Sequence, residues 1–340
     1  MNSLAIDGEI DDLFSHMVLM GLGSIIEDAG VGSVSIWWNS DERACISVHE
    51  DLVESDIAEC ILAHARRHTS DSSWLRDRFQ FYKGKKLASI SPVGPRTASP
   101  DTEADWLGLA DAHESSLDKQ TSTLEHRFVQ GMGYRSWWYY RSKVMRADIG
   151  ANIWEMRTRN RGTEFIADRL LPLAEEISGW SVEDVINGVF SGSINDAIGS
   201  NSLDSRSATG FRIPGPVDNA RAWCALWALS MLPVVRLADP SSSYPAYLPR
   251  KALQDDVRHQ LLIPVPNAPV TMARMRAVLR SRRVVAAADQ RGEAAEITRK
   301  AAWDWLHRHG MAALVRFPVQ YVGSDSAPER QALTGIRVWP

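Results

Sequence analysis

Apolar residues at Leu13, Phe14, Met17, Val18, Met20, Ile25 and Ile26 recur close to the helical period. They predict a helix over residues 9–29, ended by Gly30 and Gly32. The period then shortens. Val34–Asn39 reads as a strand, Asn39-Ser40-Asp41 as a turn, and Ala44–Val48 as an antiparallel return strand. Residues 54–68 read as a second helix with Ser55 as its N-cap. The first seventy residues are thus expected to form an α–β–β–α module.

Residues 91–101 contain three prolines and a glycine and read as a loop or linker. Residues 134–146 alternate as a strand would, with Arg135, Trp137, Tyr139, Arg141 and Lys143 on one face. Arg157, Arg159 and Arg161 also alternate. Helices are expected over about 164–177, and from a Ser181–Asp184 capping box to about Phe190. Residues 191–216 read as a long polar loop. Asp218 is placed as the cap of a helix over Ala220–Leu232, stopped by Pro233. Seven of the sixteen prolines fall between Pro233 and Pro269, so that stretch is expected to be irregular. One helix is expected over 271–287 and another over 293–309, closed by Gly310 as its C′ residue. Val315–Tyr321 reads as a strand and the tail as weakly structured.

These elements predict an α+β protein: a mixed N-terminal lobe with a short antiparallel sheet, and a helical C-terminal part. Five regions are delimited: an acidic α/β lobe (1–90), a linker-like region (91–125) and a basic, Trp-rich middle (126–235). A Pro-rich connector (236–270) and an Arg-rich helical region (271–340) follow. The longest apolar stretches, Met17–Ile26 and Ala222–Val235, fall short of the roughly twenty residues a membrane span needs. They read as buried helices, and no membrane association is expected. The acidic start carries no signal-peptide pattern. Three cysteines without CxxC spacing argue against a disulfide framework and fit a reducing, cytoplasmic setting.

The net charge of −4 conceals strong segregation. Residues 1–60 carry thirteen acids against Arg43 alone, whereas residues 127–169 and 274–308 each carry nine bases against four acids. Arginine outnumbers lysine 31 to 7, and tryptophan, at 13, outnumbers phenylalanine and tyrosine. Codon bias from a GC-rich genome accounts for such usage. So does binding of nucleic acid, because guanidinium forks match phosphate oxygens and indoles stack on bases.

Signatures of catalysis are missing. His64 and His68 lie at i, i+4, as metal ligands can, but Ala-Arg-Arg between them breaks the zinc-protease pattern. The glycine pairs Gly21/Gly23 and Gly131/Gly133 meet neither the dinucleotide nor the phosphate-loop fingerprint. No nucleophile elbow occurs. Neither a cofactor nor a metal is expected.

Three segments point instead to a polyanion. The first is the cationic, aromatic run Arg135, Trp137, Tyr139, Arg141, Lys143 and Arg146, with Arg157, Arg159 and Arg161 beyond it. A core strand burying Trp137 and Trp138 is the competing reading. The second is the helix from Thr271, on which Arg276, Arg280 and Arg283 form a stripe able to follow a phosphate backbone. A solvated face is the alternative. The third is the polar loop, where Asn201, Ser202, Arg206 and Arg212 are placed to reach phosphates or groove edges. A disordered loop is the plainer account.

Two blocks carry a family resemblance. Met17–Trp38 (MVLMGLGSIIEDAGVGSVSIWW) joins a glycine-containing apolar helix to a strand ending in Trp-Trp. Gly215–Val235 (GPVDNARAWCALWALSMLPVV) leads through a polar segment into a Trp-rich buried helix. With the Arg-rich C-terminal helices, these blocks resemble large subunits of type I CRISPR surveillance (Cascade) complexes, nearest the divergent I-U/I-G group. The resemblance implies a non-catalytic subunit that contacts crRNA, target DNA and neighbouring subunits. It further implies help in reading the target-adjacent motif, opening the duplex and recruiting a helicase–nuclease. The two blocks span 43 of the 340 residues, and the chain is short for a large subunit. No strict motif transfers residue by residue, so the binding residues named above come from charge and aromatic pattern. The rivals are a metal-dependent nuclease or hydrolase and a protein-only scaffold or regulator. The acidic lobe is expected to pack on basic neighbouring subunits or to face away from the nucleic acid.

Overall fold

The computed structural model describes residues 3–49, 52–94, 100–133, 139–141, 144–146, 154, 165–235, 244–249, 259–289, 293–324 and 327–340. The fold is mixed α+β with antiparallel sheets.

Helix α1 (Leu13–Asp28) is buried along nearly its whole length, as the absence of a polar face dictates. It starts at Asp12, whose carboxylate accepts from the Phe14 N–H. Strands β1 (Ser3–Ile6), β2 (Val34–Trp38) and β3 (Ala44–Val48) surround it in the order β1-β3-β2. The β2–β3 hairpin is the expected one. β1 adds a strand ahead of the predicted module, antiparallel to β3 with Leu4 opposite Ile46. Helix α2 (Glu54–His68) spans the expected residues, but Val53, not Ser55, stands at the N-cap. The Asp56 carboxylate accepts from the Val53 N–H.

A two-stranded hairpin follows, β4 (Phe79–Lys83) and β5 (Lys86–Ile90). It packs on α3 (Glu103–Asp118) through Phe81, Ile90 and Leu109. Helix α3 occupies nearly half of the region read as linker-like. Only Leu109, His113 and Ser116 are buried along it, so it has little apolar periodicity to betray it. Helix α4 (Thr123–Gly133) is next.

Beyond it, Tyr139–Arg141 (β6) pairs antiparallel with Val144–Arg146 (β7), with Arg141 opposite Val144. The chain therefore reverses after Arg141 rather than continuing as one strand. A wide helical turn at Ile166–Leu170 leads into α5 (Leu171–Ser178). Helix α6 (Val182–Val189) carries the predicted capping box, Ser181 Oγ accepting from Asp184 N and Asp184 accepting from Ser181 N. Helix α7 (Asn219–Trp227) is capped by Asp218, as expected, and tightens through Ala228–Ser230.

Residues 191–216 lack regular structure but are pinned. Asp196 is fully buried beneath them. Its carboxylate accepts from Gly199 N (2.9 Å), Ser207 Oγ (2.7 Å), Asn219 Nδ2 (2.9 Å), Val217 N (3.4 Å) and Ser205 Oγ. A buried carboxylate persists only when so satisfied.

The second sheet is C-terminal and was largely unforeseen. β8 (Tyr247–Pro249) and β9 (His259–Pro266) fall in the stretch read as irregular. β9 tolerates Pro264 and Pro266 for a geometric reason. Leu262 N still donates to Ala246 O beside β8, so alternate residues 264 and 266 turn their nitrogens to the same side, beyond the reach of β8. β10 (Val270–Thr271) joins the first sheet beside β2. Helices α8 (Met272–Leu279) and α9 (Arg282–Ala288) replace the single predicted helix. Ser281 adopts extended backbone and its hydroxyl caps Arg283 N, which breaks the axis.

Helix α10 (Glu293–Arg308) ends at Gly310, which takes φ +85° as a C′ glycine does. The long β11 (Met311–Ser324) then pairs with β9 on one side. β12 (Ala327–Ala332) and β13 (Ile336–Val338) line its other side, so the tail is sheet rather than loose chain. The Arg-rich C-terminal region is thus helices followed by the central strand of a sheet.

The two blocks that carry the family resemblance pack on each other. A β-carbon at Gly21 of α1 would overlap the Cys224 carbonyl oxygen of α7, and one at Gly131 of α4 would overlap that of Leu229. Both glycines serve close helix approach, not phosphate binding.

Candidate nucleic-acid interface

Arg276 lies on α8, whose start is held against α1. A β-carbon at Gly23 would stand 2.6 Å from Met272 Sδ, so the glycine leaves the room that the Met272 side chain fills against α1. The same packing carries Arg276 to the end of α1, its Nη2 3.8 Å from Glu27 Oε2. Arg127 reaches this place from α4. The three elements border a cleft of about 520 Å³, lined by Ser24, Glu27, Ser122, Thr123, Arg127 and Arg276 among others. Asp28, also at the rim, is engaged by Arg67 at 2.6 Å.

The electrostatics are those of crowded cations. Only 12% of the Arg276 side chain is exposed, and its Nε has no hydrogen-bond partner. Burial pulls the Arg276 guanidinium below its ordinary value, and Arg127 and Arg280 pull it the same way; Glu27 opposes them. Arg280 is lowered by burial and by Arg127. Burial raises the Glu27 carboxyl despite Arg276 and Arg127. Arg276 and Arg127 thus share one reluctant carboxylate, and the charge of Arg280 adds to the crowding on Arg276. An entering anion relieves repulsion that the fold has already built in, and forked guanidinium donors suit phosphate oxygens.

The other predicted contacts fare differently. Arg283 is exposed at the start of α9, so the stripe Arg276–Arg280–Arg283 is divided between two helices. Arg206 is engaged by the buried carboxylate of Glu329 on β12. Arg212 stands 3.8 Å from Asp12. Asn201 turns the loop: it adopts φ +49°, and its side-chain oxygen accepts from Asp196 N at 3.0 Å. Ser202 donates to Asp204. These loop residues build the loop, with Arg212 alone of the two arginines largely exposed. Arg135, Trp137, Lys143, Arg157, Arg159 and Arg161, with Trp138, lie outside the described residues. Tyr139, Arg141 and Arg146 belong to the β6–β7 hairpin, in which Tyr139 is the register partner of Arg146. Sequence reasoning missed Arg127 as a site residue, because nothing local ties it to Arg276 on another helix.

His64 and His68 are core residues. Both are buried against Trp223 and Trp227. His68 Nδ1 meets the His64 carbonyl at 2.8 Å and Nε2 lies 3.1 Å from Glu125. Burial pushes the Glu125 carboxyl up, but His68, Thr121 N and Trp74 outweigh it and bring it down to about 2. Burial, then His68 and Arg67, hold His64 well below its usual value. Among the described residues no three His, Cys, Asp or Glu side chains converge as a metal ion requires. Cys45, Cys60 and Cys224 are free thiols. Among the described residues no helix is long and apolar enough to cross a membrane.

Compared with known proteins, the chain matches no family model and no curated sequence.

Proposed function

We propose that this chain is a nucleic-acid-binding subunit, without catalysis of its own, of an RNA-guided type I CRISPR DNA surveillance complex. In that role it contacts crRNA and target DNA and helps recognise the target-adjacent motif. It also steadies opened DNA and offers a surface to neighbouring subunits and the helicase–nuclease. The resemblance of the two packed blocks supplies the kind of complex. The observation that carries the binding chemistry is the cleft where Arg127 and Arg276 meet at Glu27, with the charge of Arg280 bearing on Arg276. Cations desolvated by burial and repelled by one another are poised for an anionic backbone, which they meet by charge-assisted, bidentate hydrogen bonds.

The test is fluorescence anisotropy with a labelled DNA oligonucleotide over a salt series, comparing wild type with Arg127→Gln/Arg280→Gln. Loss of two phosphate contacts should raise Kd about 10-fold and reduce the salt slope by about 2. Unchanged affinity and slope in a variant that melts normally would overturn the reading.

A further inference from the structure

An acid is out of place in a cleft for anions, and Glu27 is also out of place in its helix. It stands in the last turn of α1 beside Asp28, and no base in that turn offsets them. The unpaired carbonyls make that end of a helix negative, which disfavours carboxylates. Cations from neighbouring helices take the part of the missing base. Asp28 is well settled: its side chain is 6% exposed and Arg67 of α2 binds it at 2.6 Å. Glu27 is held loosely. Its side chain is 28% exposed, and the 3.8 Å to Arg276 is too long for a hydrogen bond. Arg276 meanwhile keeps a buried Nε that donates to nothing.

Two cations face Glu27, Arg276 from α8 and Arg127 from α4. Arg67 is committed to Asp28, and Arg280 acts on Arg276. Burial pushes the Glu27 carboxyl up, and the two arginines oppose it. They are what keeps it ionised. An anion that occupies them removes that support and leaves the burial, so the carboxyl then takes a proton from water or turns outward.

We infer that Glu27 is a stand-in anion: it accompanies Arg127 and Arg276 until a phosphate of the ligand takes its place. This deepens the nucleic-acid reading of the cleft and rests on it. Glu27 thereby sets what the cleft accepts. A carboxylate ligand would only exchange like for like, whereas a phosphodiester offers the arginines a fork of oxygens and stays ionised beside them. Binding then carries a proton from solvent onto Glu27, and affinity rises as pH falls. Without Glu27, Arg276 would be a buried cation facing only other cations, which accounts for the acid's presence.

The experiment uses the full chain and the labelled DNA oligonucleotide of the cleft test, titrated at pH 7.5 and pH 5.5. Removal of one competing charge should make Glu27→Gln bind about 10-fold more tightly than wild type at pH 7.5. At pH 5.5, where wild type binds with Glu27 protonated, the two should agree within about 2-fold. Histidines titrate over the same range in both proteins, so the closing of the gap belongs to Glu27. The wild-type Kd should itself fall about 10-fold between the two pH values, and Glu27→Asp, which keeps the charge, should share that profile. Glu103→Gln, at the exposed start of α3, makes the same change of net charge and should leave binding within about 2-fold. If Glu27→Gln, folded by its melting curve, binds no tighter than wild type at pH 7.5, Glu27 merely supports Arg276 and the stand-in is refuted. The cleft still stands in that case if Arg127→Gln/Arg280→Gln is impaired. A gap that persists unchanged at pH 5.5, or an equal gain in Glu103→Gln, also overturns the stand-in. Should wild type bind no oligonucleotide, cleft and stand-in both fall.

Discussion

Removing the Asp196 carboxylate should unlatch the 191–216 loop. The carboxylate is fully buried and accepts from five donors: the N–H groups of Gly199 and Val217, the hydroxyls of Ser205 and Ser207, and the Asn219 amide. In Asp196→Ala all five lose their acceptor. The hydroxyls can turn toward other oxygens; the two N–H groups and the amide cannot. At about 1–3 kcal/mol for each buried donor left unsatisfied, and allowing for relaxation, the variant should lose about 4 kcal/mol. Asp196→Asn keeps the shape, yet sets an NH2 group against the Val217 or Gly199 N–H, and should cost about 2 kcal/mol. Urea unfolding followed by tryptophan fluorescence measures both, and limited proteolysis locates the change within 191–216. The pH dependence has a definite sign. Burial pushes the carboxyl up, but the hydrogen bonds from Ser205, Ser207, Asn219 and Gly199 outweigh it and leave it below its usual value. Its contribution is therefore fully present above the unfolded value near pH 4 and is lost as pH falls through the lower folded value. Asp196→Asn should lose less stability than wild type on acidification below pH 4. An alanine variant within about 1 kcal/mol of wild type, with a protease-resistant loop, would refute this account of what orders the segment.

Two further outcomes test the packing and the buried charges. Gly21→Ala improves intrinsic helix propensity by about 1 kcal/mol, yet its methyl would collide with the Cys224 carbonyl. A net loss of about 3 kcal/mol in urea unfolding is expected, and a neutral result would mean that α1 and α7 separate readily. Asp218 behaves oppositely to Asp196. Burial, opposed by hydrogen bonds from backbone N–H groups and by Arg221, raises its carboxyl to about 6. Because the folded value lies above the unfolded one, wild-type stability should fall by up to about 3 kcal/mol as pH rises from 4 to 6 through this group. Asp218→Asn, which retains an acceptor for the Arg221 N–H, should flatten that slope when urea midpoints are compared at pH 4.5 and 7.5.

Local signals made part of this architecture legible. The period of α1, the alternation in β2 and β3, the Ser181–Asp184 box, the Asp218 cap and the Gly310 terminus are each set within a few residues of chain. Helix α3 also left a signal that goes unused when prolines are weighed first: Thr102 Oγ1 accepts from Asp105 N at 3.1 Å, the start of an ordinary cap. The break at Ser281 is a cap hidden inside an arginine run. The second sheet was not legible, because β11 takes its partners from both directions along the chain, and because proline in β9 reads as disorder until one sees which edge is unpaired. The cleft was half legible. Arg276 and Arg280 stand out in sequence, but their meeting with Arg127 and Glu27 is made by helix packing that no local pattern encodes.

The segregated charge map finds its explanation in the same long-range packing. Six of the thirteen acids in the first sixty residues meet arginines of other elements of the same chain. Asp7 binds Arg221 at 2.5 Å, and Arg337 straddles Asp11 and Glu42, with 2.9 Å to each Asp11 oxygen. Asp12 approaches Arg212, Glu27 approaches Arg276, and Asp28 binds Arg67. Several of these contacts join the first fifty residues to positions beyond 200, so charges separated along the chain cancel across the folded surface. This cancellation decides which arginines deserve weight as ligand contacts. Arg206, Arg221 and Arg337 are strong cations in sequence, but in the fold each serves a carboxylate. A cation opposed by another cation is the one with affinity to spare, and that condition is met where Arg127 and Arg280 press on Arg276.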